Sequence, residues 1–87
     1  MIEKNVNNLK ELHWACRRGM LELDVLLGNF LKEAYPDLSL TDKASFVELL
    51  THPDPVLFAW LLGQIQPDDQ ALAHIVTLIR HHAQSRI

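Results

Sequence analysis

A single cysteine, Cys16, cannot form an internal disulfide and leaves no thiolate set for a cysteine-rich zinc site. The three glycines, Gly19, Gly28 and Gly63, stand far apart, so no glycine loop is available to cradle a phosphate. No apolar run approaches the roughly 20 residues that a membrane-crossing helix requires. The polar start, Met1-Ile2-Glu3-Lys4-Asn5-Val6-Asn7-Asn8, has neither a secretory apolar core nor the Arg/Ser-rich pattern of a transit peptide. A cytoplasmic protein in reducing surroundings, without direct membrane insertion, is expected. Eight Lys and Arg against 11 Asp and Glu give a net charge of −3. That balance lacks the cationic excess with which a general nucleic-acid binder displaces counterions, so no nucleic-acid partner is expected. Val, Ile and Thr never alternate with polar residues long enough to mark a strand.

What remains is helical periodicity. Apolar residues make up 48% of the 87 positions, enough for one small globular domain spanning 1–87 but near the lower limit for a self-sufficient core. A first segment runs from about Asn5 to Arg18, with Val6, Leu9, Leu12 and either His13 or Cys16 on one face and Gly19 as the left-handed residue closing it. A second, about Met20 to Tyr35, carries Leu23, Leu26, Leu27, Phe30, Leu31 and Ala34 as a wide stripe. Leu21 and Val25 widen it further, which predicts a central helix buried on two sides. Pro36 ends it. Ser39 and Asp42 resemble a capping box before Phe46, Val47, Leu49 and Leu50.

His52-Pro53-Asp54-Pro55 is the next break, with Asp54 expected at the N-cap and Pro55 at the first helical position. Leu57, Phe58, Leu61, Leu62 and Ile65 follow as an apolar set beside Trp60. Pro67-Asp68-Asp69 repeats the start signal for a fifth helix, whose stripe is Leu72, Ile75, Val76 and Ile79, with Arg80, His81, His82 and Arg86 placing positive charge at its C-terminal end. The predicted fold is all-α, a compact bundle of five helices of about 10 to 16 residues, each dependent on packing for its stability.

Few residues suggest chemistry. His13 and Cys16 lie one helical turn apart, but core and rim of a helix is the simpler reading, and no catalytic residue is assigned. His74 and His81 are seven residues apart and His81 and His82 diverge; neither makes the i, i+4 pair of a helical zinc site, so no metal ligand is assigned. Trp14 and Trp60 beside apolar stripes are expected in the core.

The corner at Arg17-Arg18-Gly19-Met20-Leu21-Glu22-Leu23-Asp24 stands out. Cations end one helix and acids open the next, which complements both helix dipoles and, with a surface ion pair, is worth about 1 kcal/mol or less. The same residues could form a partner-docking patch. Adjacent arginines on a helix point about 100° apart, so they cannot both serve one ion pair, and at least one should face outward. Arginine is also a favoured interface anchor. On physics alone the two readings are even.

Two blocks, His13-Trp14-Ala15-Cys16-Arg17-Arg18-Gly19-Met20-Leu21-Glu22-Leu23-Asp24 and Asp54-Pro55-Val56-Leu57-Phe58-Ala59-Trp60-Leu61, resemble the small bacterial assembly factors of succinate dehydrogenase. The hallmark Arg-Gly-x-x-Glu of that family is met by Arg18, Gly19 and Glu22, and the likeness runs from about His13 to Ile79. The Ser39 to Asp42 helix entry and the tail after Ile79 match loosely. The resemblance implies a five-helix bundle that docks on the flavoprotein subunit of succinate dehydrogenase, and also of fumarate reductase, and promotes covalent attachment of FAD to it.

It further implies that Arg18, Gly19 and Glu22 lie at the interface, with His13, Trp14, Arg17 and Asp24 close by. The client's own histidine would attack FAD while the factor holds the client's domains in a competent arrangement, using binding energy for orientation. The factor is then not an enzyme, binds no cofactor stably, and acts on FAD that belongs to its client. A monomeric, cytoplasmic, bacterial protein is expected. The alternative implied by the same resemblance is the antitoxin of a toxin–antitoxin pair.

Overall fold

Leu72, Ile75, Val76 and Ile79, spaced to share one face of a helix, are buried together in the computed structural model, which describes residues 8–85. They belong to α5 (Gln70–Ser85), the longest element. Before it come α1 (Leu9–Ala15), α2 (Leu21–Glu33), α3 (Leu40–Leu49) and α4 (Asp54–Leu61), with one 3-10 turn at Tyr35–Asp37 between α2 and α3. No strand occurs among the described residues, and the all-α five-helix expectation holds. None of these helices is long and apolar enough to cross a membrane.

The core forms where α5 packs against α2, α3 and α4, and α1 joins it by lying on α2. Leu23, Leu27, Phe30 and Leu31 face inward from α2, Phe46 and Leu49 from α3, and Leu57 and Leu61 from α4. Phe46 is its aromatic centre: its ring lies 5.4 Å from that of Phe30 and 5.3 Å from that of Tyr35, in tilted arrangements that suit the ring quadrupoles. Pro36 ends α2 as expected, and the chain turns through the 3-10 segment. Ser39 Oγ accepts from the Asp42 amide at 3.1 Å, the cap anticipated for α3. The Asp42 carboxylate does not close the reciprocal half of a capping box; it faces His74 of α5 at 3.4 Å.

Four local expectations are corrected. First, α1 stops at Ala15 with Cys16 as its C-cap, so Gly19 is not the closing residue of that helix. It lies in the link, in the left-handed region at φ 83°. At its other end α1 begins at Leu9, later than the expected start near Asn5, because Asn8 leaves the helical conformation and its Oδ1 accepts from the Glu11 amide at 3.1 Å as the N-cap. Asn5, Val6 and Arg86 themselves lie outside the described residues. Leu12 and Cys16 are buried, whereas Leu9 and His13 are exposed. Second, α2 is buried on one side only: Leu21 is 74% and Val25 49% exposed, because no element among the described residues covers that flank.

Third, α4 begins one residue earlier than expected. Pro53 is the N-cap, Asp54 is the first helical residue, and no side chain caps the helix. Fourth, α4 ends at Leu61, which leaves Leu62 and Ile65 exposed beyond the apolar face. The termination is physical. Gly63 takes φ 80°, its amide donates to the Trp60 carbonyl at 3.1 Å, and the Gln64 amide donates to that of Ala59 at 2.9 Å, the paired bonds of a Schellman cap. A Cβ at Gly63 would lie 2.7 Å from the Arg80 guanidinium, the movable end of a long side chain, so the backbone conformation more than space favours glycine there.

Phe46 touches ring partners from two elements and is fully buried. Phe46→Ala is expected to lower unfolding free energy by roughly 3–5 kcal/mol in urea titration. A loss under about 1 kcal/mol would show that the core does not centre on this ring.

Candidate functional site

The corner between α1 and α2 is built around a side chain that turns inward. Cys16 and Arg17 extend the end of α1 through bonds from their amides to the Leu12 and Trp14 carbonyls, each 3.0 Å. Arg18 then directs its guanidinium away from solvent; the side chain is 14% exposed. Nε donates to Asp54 Oδ1 at 2.8 Å, Nη1 to the carbonyls of Ala15 at 2.8 Å and Leu50 at 2.9 Å, and Nη2 to that of His52 at 2.6 Å. Ala15 and Leu50 sit at helix C-terminal ends, where carbonyls lack intrahelical donors and cations are favoured. Four of the five guanidinium N–H groups are therefore committed within the molecule.

From the other side of the corner, Asp24 reaches back across it. Its Oδ1 accepts from the Arg18 backbone amide at 2.6 Å, while its own amide donates to the Met20 carbonyl at 2.9 Å in the first turn of α2. Gly19 lies between these two ties, exposed. A Cβ there would meet nothing within 4 Å, so glycine is required by the backbone's φ of 83° rather than by space.

The outward face has different members. Arg17 and Glu22 are exposed, and neither side chain has a partner among the described residues. Lys10, His13, Trp14 and Arg17 fall at i, i+3, i+4 and i+7 and line one surface hollow along α1. Trp14 is 71% exposed, which overturns its expected place in the core. Trp60 does pack against the core, with its ring 4.9 Å from that of His52. Leu21 and Val25, both exposed, add apolar surface at the start of α2. The expectation of an outward-facing arginine is thus met by Arg17; Arg18 faces in because two helix ends, a loop carbonyl and a carboxylate converge on it.

Cys16 and His13 are not brought together as a reactive pair. Cys16 is 2% exposed with Sγ 3.8 Å from the Leu27 carbonyl, whereas His13 is exposed. Burial pushes the Cys16 thiol up to about 12, outweighing the lowering effect of Arg18. His74 and His82 serve as links, the second meeting Glu33 at 2.9 Å. Periodicity did not identify Asp54 as the partner of Arg18, since 36 residues separate them. Lys10 could have been found from its helical spacing to His13, Trp14 and Arg17.

Two outcomes follow from this geometry. Arg18→Ala leaves Asp54 and three carbonyls without their donor and is expected to reduce stability by roughly 2–4 kcal/mol, while Arg17→Ala stays within about 0.5 kcal/mol. Equal effects in denaturant titration would contradict the inward placement. For Cys16, the folded state holds the proton more tightly than the unfolded state does, whose thiol titrates near 9.0. This contribution to stability is complete below pH 9 and is lost as pH rises toward about 12. The stability gap between the parent and Cys16→Ala should therefore shrink across that window, and a constant gap would contradict the burial of the thiol.

Residues 10–83 match the protein family described as flavinator of succinate dehydrogenase. Relatives named FAD assembly factor SdhE include one from Serratia, 44% identical over 94% of this chain and 93% of its own. Another, from Shewanella oneidensis, is 49% identical over 87% and 93%. A third, from Colwellia psychrerythraea, is 51% identical over 88% and 89%. The protein with the inward-tied arginine corner belongs to the family of succinate dehydrogenase flavinators.

Proposed function

We propose that this chain binds the flavoprotein subunit of succinate dehydrogenase, and of fumarate reductase where one is made, and promotes covalent attachment of FAD to that subunit. The observation that carries the reading is the corner itself: Gly19 and Glu22 are exposed beside a backbone tied at Arg18 and Asp24. Family membership supplies the client.

In this reading His13, Trp14, Arg17, Gly19 and Glu22 touch the client, and Arg18 and Asp24 hold the corner beneath them. Trp14 offers a large aromatic surface with few torsions to freeze, and Arg17 and Glu22 offer one charge of each sign. Such a face fits a protein surface of mixed charge. The factor contributes orientation rather than chemistry. A rigid corner loses little conformational freedom on docking, so more of the contact energy is available to hold the client in the arrangement in which its own residue attacks FAD. FAD stays with the client, no cofactor is held by this chain, and it acts as a monomer in the cytoplasm without turnover of its own.

Glu22→Ala is the cleanest probe, because this side chain has no partner among the described residues and its loss should change stability by no more than about 0.5 kcal/mol. Circular dichroism should be unchanged while in-gel fluorescence of covalent flavin on the client subunit falls severalfold. Equal fluorescence with and without the parent protein would remove the proposal. Arg18→Ala is a poorer probe of contact, since its loss disturbs the fold as well.

A further inference from the structure

The two sequence blocks that carry the family likeness, one around the corner and one opening at Asp54, meet in space at a single ion pair: Arg18 Nε to Asp54 Oδ1, 2.8 Å. From this we infer that Asp54 is a positioning residue for client binding, acting through Arg18 and making no client contact itself; the inference rests on the reading under Proposed function and deepens it.

Asp54 is the first residue of α4, far in sequence from the corner, and its side chain supplies no cap to its own helix. Its carboxylate is instead directed to Arg18. The remaining bonds of that guanidinium go to neutral carbonyls at the ends of α1 and α3 and in the α3–α4 link. Asp54 is thus the one anionic acceptor for the guanidinium among the described residues, and a charged acceptor fixes a guanidinium more firmly than a carbonyl does. Removing it leaves Arg18 with the carbonyls alone and frees the fork to reorient toward water.

The next link is short. The Arg18 amide donates to Asp24 at 2.6 Å, and the following residue is Gly19, whose backbone has the widest freedom once its neighbours are released. Loosening Arg18 therefore loosens the relative placement of Arg17 at the end of α1 and Glu22 at the start of α2. A binding face whose charges must be re-ordered on docking loses affinity even though every contact residue is still present.

The two roles for Asp54 separate experimentally. A purely structural residue would change thermal stability but not the behaviour of molecules that remain folded. The test measures covalent flavin on purified apo-flavoprotein subunit with added FAD, titrating this protein at a temperature where every variant is folded by circular dichroism. Asp54→Ala is expected to raise the half-saturating concentration on the order of tenfold, with the flavin yield at saturation preserved. Asp54→Asn, which keeps an oxygen acceptor, should fall between parent and alanine. In Arg18→Ala, adding Asp54→Ala should cause no further loss, whereas in Glu22→Ala it should multiply the loss.

A folded Asp54→Ala that titrates like the parent, or a double variant with Arg18→Ala whose losses multiply, would overturn the inference. Hydrogen exchange of the Arg18 amide provides a readout independent of the client. It should lose protection in Asp54→Ala while the Ile75 and Ile79 amides of α5 keep theirs, and unchanged protection at Arg18 would overturn the tie. If the parent itself adds no flavin to the subunit, the proposed function fails, and the Asp54–Arg18 tie is then judged on the exchange result alone.

Discussion

The arrangement of the first half of this molecule depends on one guanidinium. α1 has seven residues, and with its C-cap it contributes only Leu12 and Cys16 to the buried core, too little to hold a short helix at a fixed angle. Arg18 supplies what packing does not. It joins the end of α1 to the end of α3, the link that follows, and the first residue of α4. A lysine could not replace it. Four acceptors placed around a plane match the fork of an arginine, whereas an ammonium is a compact point charge with three donors. The same contacts neutralise carbonyls that two helix ends leave unpaired, so the corner is held by satisfying groups that would otherwise need water.

An inward arginine divides the hallmark residues of this chain between interior and surface. Within Arg-Gly-x-x-Glu, Arg18 is committed to the interior, Gly19 supplies a backbone conformation, and Glu22 faces out. One residue of the three is thus free to offer its side chain to a partner, and the surrounding surface is completed by Trp14 and Arg17. This division of labour suits a protein whose contribution is geometric. Contact residues on a flexible corner would have to be ordered at every encounter, while a corner tied at both ends presents them already in place. The tied part, Arg18 and Asp24, lies just beneath the surface, and the exposed part consists of Trp14, Arg17 and Glu22.

Much of this was legible in the sequence, and the failures have identifiable causes. The α5 stripe was readable because Leu72, Ile75, Val76 and Ile79 form one face of a 16-residue helix, where periodicity has room to speak. The ends of α1 and α4 were misjudged because each is about two turns long, and glycine and proline signals fix such boundaries only to within a few residues. Leu21, Val25 and Trp14 were expected inside because apolar character does not say which side of a helix another element will cover. The corner stood out as a candidate site from its charges and its family likeness. The direction of Arg18 was not, since it is set by Asp54 and the Leu50 and His52 carbonyls, whose proximity depends on how α3 and α4 fold back.

The inward tie can be observed directly by nitrogen-15 NMR of the arginine side chains. Arg18 is expected to show an Nε–H signal in slow exchange with water, separate Nη resonances from hindered rotation, and a shift change in Asp54→Asn. Arg17 should show the rapid exchange and averaged Nη signals of a solvated guanidinium. Two arginines with the same fast, averaged behaviour would contradict the structure at the point on which its function is argued.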